Sequence, residues 1–151
     1  MEICPGTGIG QFHFGLTEPE VVRTLGPPDK SYRTACGALR LQYYWLRLEF
    51  SIEPNNHNRF GWVEVHNPDA TLFGRRVVGE PVAAVLPFLT QALAEEPEHE
   101  DYGGLETYFY ARNWVELQVE FGLVQCVNCG VVYNEADAPF WPSVEARAAG
   151  C

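Results

Sequence analysis

The feature that most constrains the fold is a pair of long alternating apolar stretches, each preceded by a short helix signature. Leu39, Leu41 and Tyr43 alternate with polar residues, and Leu46, Leu48, Phe50 and Ile52 then alternate in the opposite phase. A period of two marks a strand with one buried face, and the phase change at Tyr44-Trp45 requires a turn or bulge between two strands. After the turn cluster Asn55-Asn56-His57-Asn58, the run Trp62-Val63-Glu64-Val65-His66 reads as a third strand. Residues 105–111, 115–121 and 123–132 carry the same alternation, with Leu48, Phe50, Val119 and Phe121 expected to face the core.

Each stretch has a helix ahead of it. Thr17-Glu18-Pro19-Glu20 supplies an N-cap, an early proline and a glutamate at the capping-box position, and Val21, Val22 and Leu25 form an apolar face. Gly26-Pro27-Pro28 stops that helix. Gly79-Glu80-Pro81 opens a second helix over 82–94, where Pro87 should kink it or split it in two. Residues 95–104 read as a polar loop.

The two halves can be overlaid. Leu46-Arg47-Leu48-Glu49-Phe50 matches Leu117-Gln118-Val119-Glu120-Phe121, Gly61-Trp62-Val63 matches Gly122-Leu123-Val124, and Glu18-Pro19 matches Glu80-Pro81. Helix followed by strands, twice, implies a duplicated α+β unit. The expected architecture is a single domain over 1–151, with pseudo-repeats near 5–69 and 70–133 and a tail at 134–151. Its two helix-plus-antiparallel-strands repeats would form one curved sheet with helices on one side.

A chain of 151 residues is one ordinary domain and can bury about two-thirds of its unfolded surface. Its formal net charge of −10 opposes a nucleic-acid role, since that affinity comes largely from neutralising phosphates. It equally opposes anionic lipid surfaces. Apolar runs are broken too soon for a membrane-spanning helix, and the opening Met1-Glu2-Ile3-Cys4-Pro5-Gly6 lacks the pattern of a secretion signal. A cytoplasmic protein with five free thiols is the expectation. Most of the negative charge lies beyond residue 75, where the only bases are Arg76, Arg112 and Arg147. Such a field suits a basic partner, because opposite potentials speed encounter.

The candidate partner-binding residues follow from that field. Glu95, Glu96, Glu98, Glu100 and Asp101 crowd carboxylates onto the 95–104 segment, where like charges repel and contribute nothing to folding. Tyr102, Tyr108, Tyr110 and Trp45 are the aromatic anchors, since such side chains bury large areas with few rotors.

No catalytic constellation is present in the sequence. There is no Gly-x-Ser-x-Gly, and Gly6-Thr7-Gly8-Ile9-Gly10 is not followed by the lysine of a phosphate loop. Glu49 and Glu120 have the flanks of ordinary outward strand residues. His13, His57, His66 and His99 are scattered, without metal spacing. Cys126-Val127-Asn128-Cys129-Gly130 has knuckle spacing, yet no second pair accompanies it, and a strand would point Cys126 and Cys129 to opposite faces. These two are weak metal candidates, and no cofactor is expected.

Pro5-Gly6-Thr7-Gly8-Ile9-Gly10, Phe14-Gly15-Leu16-Thr17, Val21-Val22 and Leu25-Gly26-Pro27-Pro28-Asp29 together resemble a pattern of small bacterial proteins encoded beside polymorphic toxins, many of them immunity proteins. The 15–27 segment is also similar to the helix signature of the beta-lactamase-inhibitor-like fold. That resemblance implies two repeats forming one curved sheet, and a non-enzymatic immunity protein that binds and occludes a basic toxin domain. The alternative is a binding or assembly module of the same fold with no toxin.

Overall fold

The computed structural model describes residues 1–149. Cys151 lies outside them. The protein is a mixed α+β fold, mostly strand, built from two sheets and few helices.

A small sheet gathers β1 (Glu2–Cys4), β2 (Gly8–Ile9), β3 (Phe12–His13), β8 (Thr71–Leu72) and β9 (Arg75–Arg76). The large sheet holds β4 (Lys30–Arg33), β5 (Leu39–Tyr43), β6 (Leu48–Glu53), β7 (Arg59–Val65), β10 (Glu98–Asp101), β11 (Leu105–Tyr110), β12 (Val115–Glu120) and β13 (Leu123–Gly130). Its order is β10-β11-β12-β13-β7-β6-β5-β4, antiparallel throughout, so two four-stranded meanders meet at the β7–β13 ladder.

Each meander follows a helix. In α1 (Glu18–Leu25) the Glu20 carboxylate accepts from both the Thr17 N–H at 2.7 Å and the Thr17 hydroxyl at 2.9 Å. Gly26 ends the helix with φ of 80°, a conformation that costs glycine nothing. α2 (Val82–Leu93) is continuous, and Pro87 does not split it. The N–H that Pro87 lacks would have bonded the Ala83 carbonyl, and both residues are exposed, so water can satisfy that oxygen. A short α3 (Val144–Ala149) closes the described chain. No helix among the described residues is long and apolar enough to cross a membrane.

Both long helices contribute to one core with the same face of the large sheet. Val21 of α1 and Val85 and Leu89 of α2 join Leu41, Phe50, Val63, Leu117 and Val127 in a single buried cluster. Two tyrosines tie sheet to helix: Tyr43 donates to the Gly26 carbonyl at 2.9 Å, and the Tyr110 hydroxyl meets Thr90 Oγ1 at 3.0 Å. Backbone bonds also join each helix approach to a central strand. Gly15 N–H to the Phe60 carbonyl and Phe60 N–H to that of Leu16 recur as Gly79 to Val124 and Val124 to Glu80.

Three expectations are corrected here. Phe121 is 99% exposed: with Gly122 it forms the two-residue turn between β12 and β13, both at positive φ, so strand alternation stops at Glu120. The expected polar loop contains β10, the outermost strand at one end of the sheet. Cys4 is disulfide-bonded, so the five thiols are not all free.

Candidate functional site: an acidic edge and a polar sheet face

β10 is an edge strand, and all four of its residues, Glu98, His99, Glu100 and Asp101, are exposed. Its inner side pairs with β11, from Glu98 opposite Phe109 to Asp101 opposite Glu106. Among the described residues no strand pairs with its outer side, which leaves backbone groups open to a partner strand. Three carboxylates on this strand and the exposed Glu96 just before it form an anionic rim. Tyr102, 64% exposed, stands at its end and donates to the Glu100 carboxylate, a bond that raises the phenol's pKa. The His99 ring stacks on Tyr108 at 4.4 Å and its Nε2 meets Glu106 at 2.9 Å.

Three of the expected partner contacts do not belong to this rim. The Glu95 side chain is only 8% exposed and accepts from the Arg112 N–H and from Asn113 Nδ2, both at 2.8 Å, so it pins the β11–β12 turn. Tyr110 is fully buried under α2, and burial raises its pKa. It is a core residue because its place on β11 faces the helix. Trp45 is 69% exposed, but it caps the β5–β6 turn at the far half of the sheet. Five strands intervene between β5 and β10, roughly 30 Å at ordinary strand spacing.

The face of the large sheet opposite the core is polar. Register places Gln42, Glu49, Glu64, Asn128 and Glu116 in one row across five strands. Glu49 is buried and accepts from Tyr32 at 2.9 Å, Arg40 at 3.2 Å and Gln42 at 2.5 Å. Three donors explain how a carboxylate survives there. It is not the ordinary outward residue that its flanks suggested, whereas Glu120 is exposed at the other end of β12.

Beside Glu49, Glu64 Oε1 and His66 Nε2 lie 2.6 Å apart, and the bond raises the imidazole pKa while lowering that of the carboxyl. Cys126 sits across the β7–β13 ladder from His66, with its Sγ 3.8 Å from Asn128 Oδ1. A 260 Å³ cavity opens beside them, lined by residues that include Gln42, Arg47, Glu49, Glu64 and His66. Cys129 points the other way into the core, where burial pushes its thiol up to about 12. The two cysteines therefore form no chelating pair, as strand geometry requires. Sequence spacing could not reveal the Glu64–His66–Cys126 grouping, because its members meet only through the β7–β13 register.

No protein-family model matches the chain, and no curated protein matches it. Among solved structures it is similar to an extracellular protein containing an SCP domain from Bacillus anthracis str. Ames, at 11% identity and a TM-score of 0.48. That likeness covers 76% of this chain and 42% of the other, so this chain spans less than half of its length.

Proposed function

We propose that the protein is a non-enzymatic bacterial immunity protein that occludes a basic toxin domain, using the β10 edge as its docking rim. The observation that carries this reading is the rim itself. Glu96, Glu98, Glu100 and Asp101 are exposed together with Tyr102 on an unpaired edge, while the Arg112 guanidinium is turned to Glu95 and the Ala94 carbonyl. An open edge with anionic side chains suits capture of a cationic segment by strand addition, with backbone bonds giving affinity and charges giving choice of partner.

The fold proposed is a duplicated unit of the beta-lactamase-inhibitor-like kind, with a curved sheet. Its support is the constant offset of 64 residues between the twin backbone bonds, Gly15 to Gly79 and Phe60 to Val124, and between the bridges Thr17–Arg59 and Pro81–Leu123. In this reading the sequence overlay is displaced: the β6–β7 connection is three residues longer than the β12–β13 turn, so ahead of it the offset is 67 and Leu48 corresponds to Val115, one residue after Arg47 and Trp114, both at φ of 52°. The disulfide at Cys4 weighs toward an oxidising compartment.

The test is inhibition of the toxin domain encoded beside the gene. Stoichiometric loss of its activity on adding the protein, abolished by Glu96→Lys with Glu98→Lys and Glu100→Lys, is the expected result. A protein that binds the neighbouring product without blocking it would shift the reading to an assembly module.

A further inference from the structure

From the side chains on the polar face we infer that Glu64, His66 and Cys126 form a binding site for a zinc-type divalent metal, with the fourth coordination position open toward the adjoining cavity. This site stands apart from the β10 rim, and neither proposal needs the other.

The placement is set by backbone register. Glu64 and His66 are two residues apart at the end of β7 and share a face, and the Val65–Val127 pair puts Cys126 across from His66 on β13. These two strands are the centre of the eight-stranded sheet, its most constrained part. One ligand atom from each residue falls within 4.8 Å of the other two. A tetrahedral zinc site, with bonds of about 2.0–2.3 Å, sets its ligand atoms roughly 3.5 Å apart, so Glu64 and His66, at 2.6 Å, would open by about 1 Å while the Cys126 sulfur closes by a similar distance.

The donor chemistry selects the metal. A thiolate and an imidazole favour zinc and its neighbours over magnesium or calcium, which take oxygen ligands. The Cys126 side chain is fully buried yet lies on the polar face of the sheet, away from the apolar core that Cys129 joins on the other face. Glu64 and His66 are partly exposed above it, which gives an ion a way in from solvent.

The ligands are gathered before any ion arrives: His66 Nε2 and Glu64 Oε1 lie 2.6 Å apart in a hydrogen bond that the ion would replace, and Asn128, which faces the Cys126 sulfur, is anchored by its amide donating to Glu116 at 3.0 Å. Binding replaces the thiol proton by the ion and releases that proton to solvent. Three protein ligands and a cavity beside them match the open arrangement, in which a water completes the tetrahedron.

The experiment is titration of the purified, chelator-treated full chain with cobalt(II), followed by competition with zinc. One equivalent of cobalt should bind, with tetrahedral visible bands and a thiolate-to-cobalt charge-transfer band in the near ultraviolet. Cys126→Ser should lose the charge-transfer band, and His66→Ala should weaken binding at least about 100-fold. His66 is half-exposed, so its variant should remain folded, and Cys36→Ser, on an exposed residue elsewhere, should behave as wild type. Failure to bind cobalt or zinc at micromolar concentration would overturn the site. So would a charge-transfer band that persists in Cys126→Ser, or equal affinity in His66→Ala.

Discussion

Tyr110 distinguishes a core anchor from an interface anchor, and removing only its hydroxyl does so cleanly. The ring is fully buried between β11 and α2, and the hydroxyl makes one hydrogen bond, to Thr90 Oγ1 at 3.0 Å. Tyr110→Phe keeps the packing and deletes that bond, which costs about 0.5–1.5 kcal/mol. The Thr90 hydroxyl can turn to a backbone carbonyl one helical turn earlier, which favours the lower end of that range. For a domain of this size the melting temperature should fall by about 1–6 °C. Tyr110→Ala also removes a large ring from the core and should cost about 3–5 kcal/mol or more. Tyr43→Phe is the companion measurement. It strips the Gly26 carbonyl of its donor at a helix end, so it should cost at least as much as Tyr110→Phe. Urea unfolding followed by tryptophan fluorescence gives all three values. Unchanged stability in Tyr110→Ala would refute the placement of Tyr110 in the core.

Other outcomes follow from the same structure. Pro87→Ala should stabilise the protein by about 1–2 kcal/mol, because a regained helix hydrogen bond and better propensity outweigh the lost stiffness of the unfolded chain; a destabilised variant in urea would contradict the continuous α2. Phe121→Ser should change stability by less than about 0.5 kcal/mol, whereas Leu117→Ala, four residues away but buried, should cost about 2–5 kcal/mol in the same assay. The backbone N–H of Thr17, followed by its hydroxyl, holds the Glu20 carboxyl below its ordinary 4.5. A depressed folded pKa gives stability that is present above the unfolded value and lost as pH falls through the folded one. The gap between wild type and Glu20→Ala should therefore be full at neutral pH and shrink below about pH 4; a gap independent of pH would exclude the carboxylate cap.

The interior strands and α1 were legible in the sequence because they bury one face. Leu39, Leu41 and Tyr43 announce β5, and Thr17 with Glu20 announces the start of α1. The edge strands β4 and β10 were not legible: all of their residues are exposed, so no apolar period exists to read. Phe121 misled because composition continues the alternation, while Gly122 after it permits the turn that ends the strand. Glu95 and Tyr110 looked like their exposed neighbours in sequence, and only Asn113 and Thr90, which hold them, reveal structural roles. The polar face was missed for a different reason. Glu49 depends on donors from β4 and β5, and Glu64, His66 and Cys126 assemble across a ladder joining residues some 60 positions apart.

The most direct test of the acidic rim is its association kinetics, at two salt concentrations, with the basic toxin domain proposed as its partner. Wild type should associate fast in low salt and markedly slower in high salt, because screening shortens the reach of the rim's field. The variant carrying Glu96→Lys, Glu98→Lys and Glu100→Lys should associate slowly in low salt with little salt dependence, while its melting temperature stays near wild type. Association of that variant at the wild-type rate in low salt would contradict the account.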